Sequence, residues 1–439
     1  MWVGDSTTGA PRARLLLVTA RALGEVRRGD QLRAAQFLTA LSPCHHVDLL
    51  TPAPGAVTTT ADPVALSPVS GRHWTYRRTT LDRGVGVLRA AVRGEPLQSG
   101  LYGSADLRRR LGRIAADYDL VVVQMVRQAE VLASLAPGRS FVDLIDALSL
   151  NFARRAARQR GLGSGGRRRL LAAEARRLER LELAVLRSAA GVAVVSRRDR
   201  EHLLGLLPAS PADAGESVSG GSRGGGGRDD VAARLHHLPL PVSRQAATIR
   251  RDEIEWDLIL TGNLGYWVNR DALDEWLRRV WPGLRRRRPG LRLAVAGDRP
   301  GRALARRLES AGATLVSSPE SLRAVLRRAR VAIAPMQAGA GVPVKVLEAF
   351  AEGVPVVASP WAAAGVGAPE RLPLAVAESP EQWIEEVERL LDDRAFAERQ
   401  VAAARDFVGR EHDPDECARR VRQAVSAALA ATGRSLLAV

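Results

Sequence analysis

Residues 339–359 read GAGVPVKVLEAFAEGVPVVAS and carry the strongest pattern in the 439-residue chain. The apolar run VAIAP occupies residues 331–335 just before them, which is typical of a buried strand. The glycine-rich loop that follows leads into a helical pattern, and Gly353 is placed to end that helix before a second apolar run that starts at Val354. The segment therefore predicts a βαβ crossover in a parallel sheet.

The start of this predicted helix has the composition of an anion-binding site. Glycines such as Gly341 let backbone N–H groups approach a ligand closely, and a helix N-terminus carries roughly half a positive charge. Lys345 and Glu348 share one helix face, so they can offer an ammonium to a phosphate and a carboxylate to a hydroxyl. Lys345 is also the single lysine among 65 basic residues, and a compact ammonium suits a diphosphate where an arginine fork does not fit. The alternative is a charged pair at a solvated helix start.

The same segment resembles the nucleotide-sugar-binding segment of GT-B fold glycosyltransferases, in the large retaining group called family 4. The pattern G-x-G-x-x-x-K-x-x-E-A, which some of its subfamilies share, covers residues 339–349. Many members carry two glutamates separated by seven residues, and here the earlier position holds Ala340, which leaves the role of that glutamate open. The resemblance implies a donor site at Gly341, Lys345 and Glu348, with Lys345 stabilising the leaving diphosphate. It also implies retaining transfer without a metal or a cofactor.

A glycine-rich turn after another strand predicts a second wall for that donor site. The apolar run at residues 256–261 leads to Gly262, Asn263 and Gly265, and then to a helical pattern. Such a turn can bind a phosphate with its backbone N–H groups, although many similar turns only tighten a βα connection. Because the turn and the Lys345 segment are predicted to belong to one sheet, the two together indicate a donor-binding site.

The amino-terminal part of the chain opens as another α/β unit. Residues 14–19 and 47–51 read as buried strands, with a helical pattern over residues 30–41 between them. This β-loop-α-β order is typical of a Rossmann-like domain.

Two groups of residues in this part of the chain are candidates for the acceptor side. Gly29, Asp30 and Arg33 form a Gly-Asp-x-x-Arg segment that resembles the family's segment facing the interdomain cleft; the alternative is a helix cap with a surface arginine. Asp146 follows a predicted strand at residues 141–145, and the carboxyl ends of parallel strands line the ligand crevice. The string VDLIDALS around it resembles a subgroup of bacterial polysaccharide sugar transferases. We predict that Asp146 contacts the acceptor hydroxyl as a base, or alternatively caps the next helix.

The segment 154–187 is rich in arginine, with eleven arginines against three glutamates. Its apolar residues recur at helical spacing, which predicts an amphipathic helix with a basic outer face. That face can be simply solvated, lie on an anionic membrane or contact nucleic acid. No aromatic residues interleave the arginines as a base-stacking platform would need, so we expect no nucleic-acid partner.

Composition limits the class of protein. A net charge of +17 favours anionic partners, while 46% hydrophobic and 26% charged residues are ordinary for a globular chain. Cys44 and Cys417 fit no metal or redox spacing, which indicates a reduced cytoplasmic setting. No apolar run reaches about 18 residues, and the first one stops at Arg21 without a cleavage-like region. The sequence therefore predicts neither a membrane span nor an export signal.

The predicted fold class is α/β, namely GT-B, with two Rossmann-like domains whose parallel sheets face a cleft. Residues 12–245 would form the acceptor domain and residues 250–412 the donor domain. Residues 413–432 would form a last helix that crosses back to the first domain, as is common in GT-B proteins. Residues 208–230 are rich in glycine and serine and read as a flexible surface insertion.

The predicted activity is transfer of a sugar from a nucleotide-sugar donor to a glycan or lipid-linked acceptor, in cell-envelope or exopolysaccharide biosynthesis. We expect a cytoplasmic protein, lying at the inner face of the plasma membrane if the basic helix contacts lipid. One alternative is a GT-B nucleotide-sugar epimerase, which needs no acceptor. The other is a non-catalytic basic protein that binds nucleotides or nucleic acid.

Overall fold

The computed structural model describes residues 12–23, 29–53, 71–159, 164–208, 227–243, 254–339 and 341–433. They form two compact units. The first unit holds the described residues of Met1–Val195, Asp199–Leu240 and Ala418–Val439, and the second those of Ser196–Arg198 and Pro241–Cys417.

The first unit is built on one sheet. Its strands are β1 (Arg14–Val18), β2 (His46–Pro52), β3 (His73–Tyr76), β4 (Leu120–Gln124), β5 (Ser140–Ile145), β6 (Gly191–Val194) and β7 (Leu235–His237). Its helices are α1 (Gly29–Leu41), α2 (Thr80–Arg93), α3 (Leu97–Tyr102), α4 (Ala105–Ile114), α5 (Leu148–Ala157), α6 (Ser164–Ser188), α7 (Arg197–Gly205) and α8 (Arg228–Arg234). Two 3-10 helices cover Ala115–Asp117 and Val126–Ser134.

The second unit has the same kind of architecture. Its strands are β8 (Trp256–Thr261), β9 (Leu293–Gly297), β10 (Thr314–Ser317), β11 (Ala329–Ala334), β12 (Val356–Ala358) and β13 (Ala375–Val376). Its helices are α9 (Trp267–Arg279), α10 (Trp281–Arg287), α11 (Arg302–Ser310), α12 (Leu322–Leu326), α13 (Val344–Glu352), α14 (Pro360–Val366), α15 (Pro380–Asp392) and α16 (Arg394–Glu411), followed by α17 (Pro414–Ala431), which continues into the first unit. A short 3-10 helix covers Pro369–Arg371.

Both sheets are parallel and doubly wound. The first has the order β3-β2-β1-β4-β5-β6-β7 and the second β10-β9-β8-β11-β12-β13. Their central strands are buried on both faces, which explains why β1 and β4 read as continuous apolar runs rather than alternating ones. In each sheet the order reverses at one point, between β1 and β4 and between β8 and β11. The predicted pair of Rossmann-like sheets is thus confirmed.

The βαβ crossover predicted from residues 339–359 is also confirmed. β11 and β12 are parallel neighbours, and α13 connects them. Gly353 ends the helix with a left-handed φ of 73°. The second strand begins at Val356 rather than at Val354, because the Val354 N–H still donates to the Ala349 carbonyl in the helix cap.

The last helix, α17, contributes to the core of the first unit. The chain passes from the second unit to the first between Cys417 and Ala418, inside this helix. Its apolar side packs with β1 and α1 through Val421, Ala424, Val425, Ala428 and Leu429.

The predicted flexible insertion at residues 208–230 is corrected at its carboxyl end. Residues 209–226 lie outside the described residues, but α8 begins at Arg228, where Asp229 and Asp230 occupy its first turn. Acidic residues in a first helical turn are stabilised by the helix dipole. The residues from 228 onward therefore belong to ordered secondary structure.

The arginine-rich segment forms α5 and α6 rather than one helix. The predicted apolar stripe of α6 is buried, as shown by Leu171, Ala175, Leu178 and Val185. Two of its three glutamates, Glu174 and Glu182, are buried with that stripe. Its exposed arginines are Arg167, Arg168, Arg169, Arg176, Arg180 and Arg187. Because two of the three glutamates are buried, the exposed face of α6 has fewer carboxylates to balance its arginines than the sequence suggests. Within the described part of the chain, no helix is long and apolar enough to span a membrane.

Candidate functional site

The strand order of the second sheet brings its two glycine-rich segments together. β8 and β11 pair directly although β9 and β10 come between them in sequence. Their carboxyl ends lead into Gly262 and into the loop that precedes α13. At such a switch point the chain leaves the two strands in opposite directions, which opens a crevice for ligands. The residues predicted for the donor thus meet at one edge of this sheet.

Asn269, at the start of α9, connects Lys345 to the loop after β8. Lys345 Nζ donates a hydrogen bond to Asn269 Oδ1 at 3.0 Å, and Asn269 Nδ2 donates to the Asn263 carbonyl oxygen at 2.9 Å. Gly262 has a φ of 145°, and a Cβ added to it would lie only 2.8 Å from Lys345 Nζ. Glycine is therefore needed here for its conformation, and an added side chain would also displace Lys345 Nζ. The sequence analysis assigned no role to Asn269.

The backbone N–H groups of the Gly262–Gly265 turn are mostly used inside the protein, which corrects the expectation that they bind a phosphate. Gly262 N donates to the Ala296 carbonyl at 3.0 Å, and Leu264 N donates to the Asp298 carbonyl at 2.8 Å. Gly265 N donates to Asn263 Oδ1 at 2.9 Å, so the Asn263 side chain shapes the turn. The turn instead provides the close wall against which Lys345 lies.

The start of α13 is open to an anion. Pro343 precedes the helix, and no side chain of the described residues caps its first N–H groups. Gly339 and Gly341 have φ values of 108° and 73°, so the loop needs glycine to turn into the helix. Ala340, where many family 4 members have a glutamate, lies outside the described residues. Lys345 and the helix N-terminus together form a cationic end to the crevice.

Burial changes the protonation of both charged groups on this helix face. It lowers the pKa of Lys345 to about 8, while the nearby Glu348 carboxylate acts in the opposite direction. Burial raises the pKa of Glu348, against the effects of Arg323 and Lys345. Each shift means that the charged form is costly in the absence of a partner. A bound diphosphate would stabilise the Lys345 ammonium directly.

Asp146, in the first unit, directly follows β5 at the carboxyl edge of the sheet. Burial raises its pKa to about 7, and the Asp199 carboxylate adds to that effect while Arg127 opposes it. Helix α5 has Ala147 at its N-cap, and the Ser149 N–H of its first turn donates to Glu182, so Asp146 is not the cap of the next helix. A carboxyl group that titrates near neutral pH can both accept and return a proton.

A second buried carboxylate lies close to Asp146 and was missed by the sequence analysis. Glu182 accepts hydrogen bonds from Ser149 N at 3.1 Å and from Ser149 Oγ, which also lies 3.0 Å from His202 Nε2. Burial raises the pKa of Glu182 to about 7. Glu182 lies on the apolar stripe of α6, between Leu178 and Val185. A charged residue in such a stripe is expected to be buried, so the sequence alone could have identified it.

The structure places Arg33 differently from the expectation that it faces an acceptor. The guanidinium is fully buried and bonds to both Asp143 oxygens, at 3.0 Å for the shortest contact. It also donates to Gln36 Oε1 at 2.8 Å and to the Leu238 carbonyl at 2.7 Å. Five hydrogen bonds inside the unit leave little for a ligand, so Arg33 stabilises the fold.

Asp30 and Gly29 are nearer to the surface than Arg33. Gly29 is exposed at the first position of α1, and Asp30 is partly buried in an ion pair with Arg21. Gln124, the last residue of β4, donates its side-chain N–H to the Asp30 carbonyl at 2.7 Å. This contact holds Asp30 at the carboxyl end of the sheet. Among the residues that the structure describes, no group of three or more histidine, cysteine, aspartate and glutamate side chains could hold a metal ion.

A comparison with the sequence models of known families shows what the second unit is similar to. Residues 255–393 match the sequence model of the family described as Glycosyl transferases group 1. The second unit is thus similar to a group 1 glycosyl transferase domain. The expected enzyme class, a glycosyltransferase, is thereby confirmed. No curated protein matches the chain by sequence.

Solved structures share the fold of this glycosyltransferase over nearly its whole length. Sucrose-phosphate synthase from Thermosynechococcus elongatus is 16% identical with a TM-score of 0.65, covering 94% of this chain and 98% of that one. HepE from Anabaena, in complex with UDP-glucose, is 11% identical with a TM-score of 0.62, covering 94% and 100%. WaaG, a glycosyltransferase involved in lipopolysaccharide biosynthesis, is 16% identical with a TM-score of 0.58, covering 92% and 98%. The expected GT-B fold is confirmed.

The matched segment of the glycosyltransferase separates the two groups of candidate residues. Gly262, Asn269, Lys345 and Glu348 lie inside it, at the switch point of the second sheet. Asp146 lies outside it, so its role depends on its position in the first sheet and on its raised pKa.

Proposed function

We propose that this glycosyltransferase moves a sugar from a nucleoside-diphosphate sugar to a glycan or lipid-linked acceptor, with retention of configuration and without a metal. One observation carries the donor assignment: Lys345, Asn269 and the uncapped start of α13 meet at the switch point of the second sheet. The complex of HepE with UDP-glucose, on the same fold, supports this donor class. Retention and metal independence rest on the resemblance to family 4.

The donor side has to stabilise the leaving group. When the bond between the anomeric carbon and the diphosphate oxygen breaks, negative charge grows on the diphosphate. The Lys345 ammonium and the first N–H groups of α13 would bind that charge more strongly than they bind the intact donor. Glu348 would accept hydrogen bonds from the ribose hydroxyls. The nucleoside diphosphate then leaves as the second product.

The acceptor side has to remove one proton. The acceptor hydroxyl oxygen forms the new bond to the anomeric carbon and loses its proton. Asp146 would accept this proton, because a pKa of about 7 suits a general base at neutral pH. Asp30 would bind acceptor hydroxyls from the same edge of the sheet. Arg33 would act indirectly, by fixing Asp143 at the end of β5.

We also propose a place for the reaction. WaaG, which shares the fold, is involved in lipopolysaccharide biosynthesis, and this supports an acceptor from cell-envelope or exopolysaccharide synthesis. We propose a cytoplasmic enzyme, which a lipid-linked acceptor would place at the inner face of the plasma membrane. The exposed arginines of α6 would contact anionic lipid there.

Calorimetric titration tests the donor assignment. Purified protein is titrated with a panel of nucleoside diphosphates and their sugars, as wild type, Lys345→Ala and the control Arg302→Ala. Arg302 is exposed at the start of α11 in the same unit, so it controls for loss of one positive charge. We expect one nucleotide to bind tightly and to be lost selectively in Lys345→Ala. If no nucleotide binds, or if Lys345→Ala binds as well as wild type, the donor site is wrongly assigned.

Product analysis separates the transferase from its alternatives. A transferase forms a new glycoside only when an acceptor is present, and its activity persists in EDTA if no metal is needed. Release of an epimerised free sugar without an acceptor would instead identify an epimerase. Salt-dependent retention on DNA, with no nucleotide-sugar binding, would indicate a nucleic-acid-binding protein.

A further inference from the structure

Helix α2 turns its apolar face to solvent. Leu81, Val85, Leu88 and Val92 are 74%, 57%, 67% and 81% exposed. Their spacing places them on one stripe, about 16 Å long at a rise of ~1.5 Å per residue. Ala90, the buried residue of this helix, lies on the opposite side. An amphipathic helix normally buries its apolar face, so a contiguous exposed stripe indicates an interaction surface.

The orientation of α2 is fixed by contacts that leave this stripe free. Gly86 packs against α3 so closely that an added Cβ would lie 2.3 Å from the Gly100 carbonyl oxygen. Thr79 and Asp82 form a capping box at the start of the helix, and Gly94 ends it in a left-handed conformation. Rotation of the stripe toward the core would break all three contacts.

The surroundings of the stripe are strongly basic. Residues 72–93 contain six arginines and one acidic residue, Asp82, which the capping box occupies. The basic helix α6 is joined to the end of α2, since Arg180 donates to the Gly94 carbonyl at 3.4 Å. A second contact, from Gln98 N to Glu174 Oε1 at 2.9 Å, holds α6 to the start of α3. The apolar stripe and the exposed arginines of α6 thus belong to one region of the first unit.

We propose that α2 lies in the surface of an anionic lipid bilayer, with its apolar stripe among the acyl chains and the neighbouring arginines at the lipid phosphates. Apolar side chains beside a cationic rim are the two features that hold a helix in the interfacial plane. A second copy of the chain is disfavoured as the occupant, because two basic surfaces would face each other. The proposal goes beyond sugar transfer, because it assigns the membrane contact to α2.

Co-sedimentation with vesicles tests the proposal. The full chain is mixed with phosphatidylcholine vesicles that contain no or 30% phosphatidylglycerol, as wild type, L81Q/L88Q and L81M/L88M. We expect wild type to bind the anionic vesicles and L81Q/L88Q to lose about tenfold or more in partition coefficient. L81M/L88M keeps the apolar character and should bind like wild type. Because these side chains are exposed, the melting temperature should stay unchanged.

Two further variants test the charged rim. R89Q/R93Q removes two arginines that flank the stripe on α2, and R302Q/R306Q removes two exposed arginines from α11 in the second unit. Only the first pair should weaken binding to anionic vesicles, by about tenfold. If L81Q/L88Q loses its melting transition, V85Q/V92Q replaces it as the test of the stripe.

Three results would overturn the proposal. The first is wild-type protein that binds neither vesicle, and the second is L81Q/L88Q and R89Q/R93Q proteins that both bind like wild type. The third is an oligomer in light scattering that L81Q/L88Q dissociates, which would make the stripe a contact between copies. Donor titration is independent of all these outcomes, so a failure here leaves the assignment of Lys345 untouched.

Discussion

Replacing Lys345 with methionine should weaken donor binding and at the same time stabilise the second unit. Burial lowers the pKa of Lys345 from 10.5 to about 8, so the folded protein holds this proton less tightly than the unfolded chain does. The charged lysine therefore destabilises the fold. This destabilisation is full below pH ~8, fades as the pH rises, and is lost above about pH 10.5, where the lysine becomes neutral in both states. Methionine fills a similar volume and carries no charge.

The size of the two effects follows from the geometry. A pKa difference of this extent corresponds to about 3 kcal/mol of unfolding free energy at pH 7. Losing the hydrogen bond to Asn269 Oδ1 offsets about 1 kcal/mol of it, so we expect a net gain of about 2 kcal/mol. A hydrogen bond to a charged partner contributes about 1.5–3 kcal/mol, so nucleoside-diphosphate binding should weaken by about 10- to 150-fold.

Urea unfolding at two pH values, together with calorimetry, measures both effects. Six of the eight tryptophans lie in the second unit, so their fluorescence reports mainly on it: Trp256, Trp267, Trp276, Trp281, Trp361 and Trp383. The stability gain of Lys345→Met should fall to less than half between pH 7 and pH 9.5. The exposed Arg302→Met is the control and should show neither effect. A Lys345→Met protein that is less stable than wild type and binds nucleotide equally well would refute the reasoning, because Lys345 would then be a structural residue.

Three other substitutions address the rest of the site. Asn269→Ala should weaken nucleoside-diphosphate binding by about 5- to 30-fold in calorimetry, because Lys345 loses the group that holds it against the turn; unchanged affinity would contradict this. Asp146→Asn should reduce transfer at least about 100-fold in a diphosphate-release assay, with donor affinity unchanged. Because its folded-state pKa is raised to about 7, the Asp146 carboxylate destabilises the fold increasingly above pH 3.8, so the variant should be more stable at pH 8 and not at pH 3.5. Arg33→Ala should destabilise the first unit by about 3–5 kcal/mol in urea unfolding, since it leaves Asp143 buried without its partner; a change below about 1 kcal/mol would show that the pair matters little.

Features that depend on neighbouring residues in sequence were predictable. The crossover around Lys345 follows from apolar runs, glycines and helical spacing, all within a few residues of one another. The buried stripe of α6 follows from the same kind of local periodicity. Both patterns reflect backbone and burial preferences that operate over one or two turns.

Features that depend on distant partners were not predictable. Arg33 is buried because it meets Asp143 and the Leu238 carbonyl, which lie 110 and 205 residues away. The N–H groups of the Gly262–Gly265 turn were expected to be free for a ligand. Gly262 N instead donates to a carbonyl of β9, and the sequence of the turn does not reveal this partner. The stripe of α2 has the spacing of a core helix, but the packing of Gly86 on Gly100 and the caps at both helix ends keep it turned outward.

Backbone strain occurs at the carboxyl edges of both sheets. Among the described residues, positive φ values at non-glycine positions occur at Met125, Ile145, Arg299 and Ser318. Each of them ends or closely follows a strand, respectively β4, β5, β9 and β10. Such a conformation costs of order 1–3 kcal/mol, most for a β-branched residue, and it persists only where the surrounding structure enforces it. The strained residue Ile145 immediately precedes Asp146, whose carboxyl group we propose as the base.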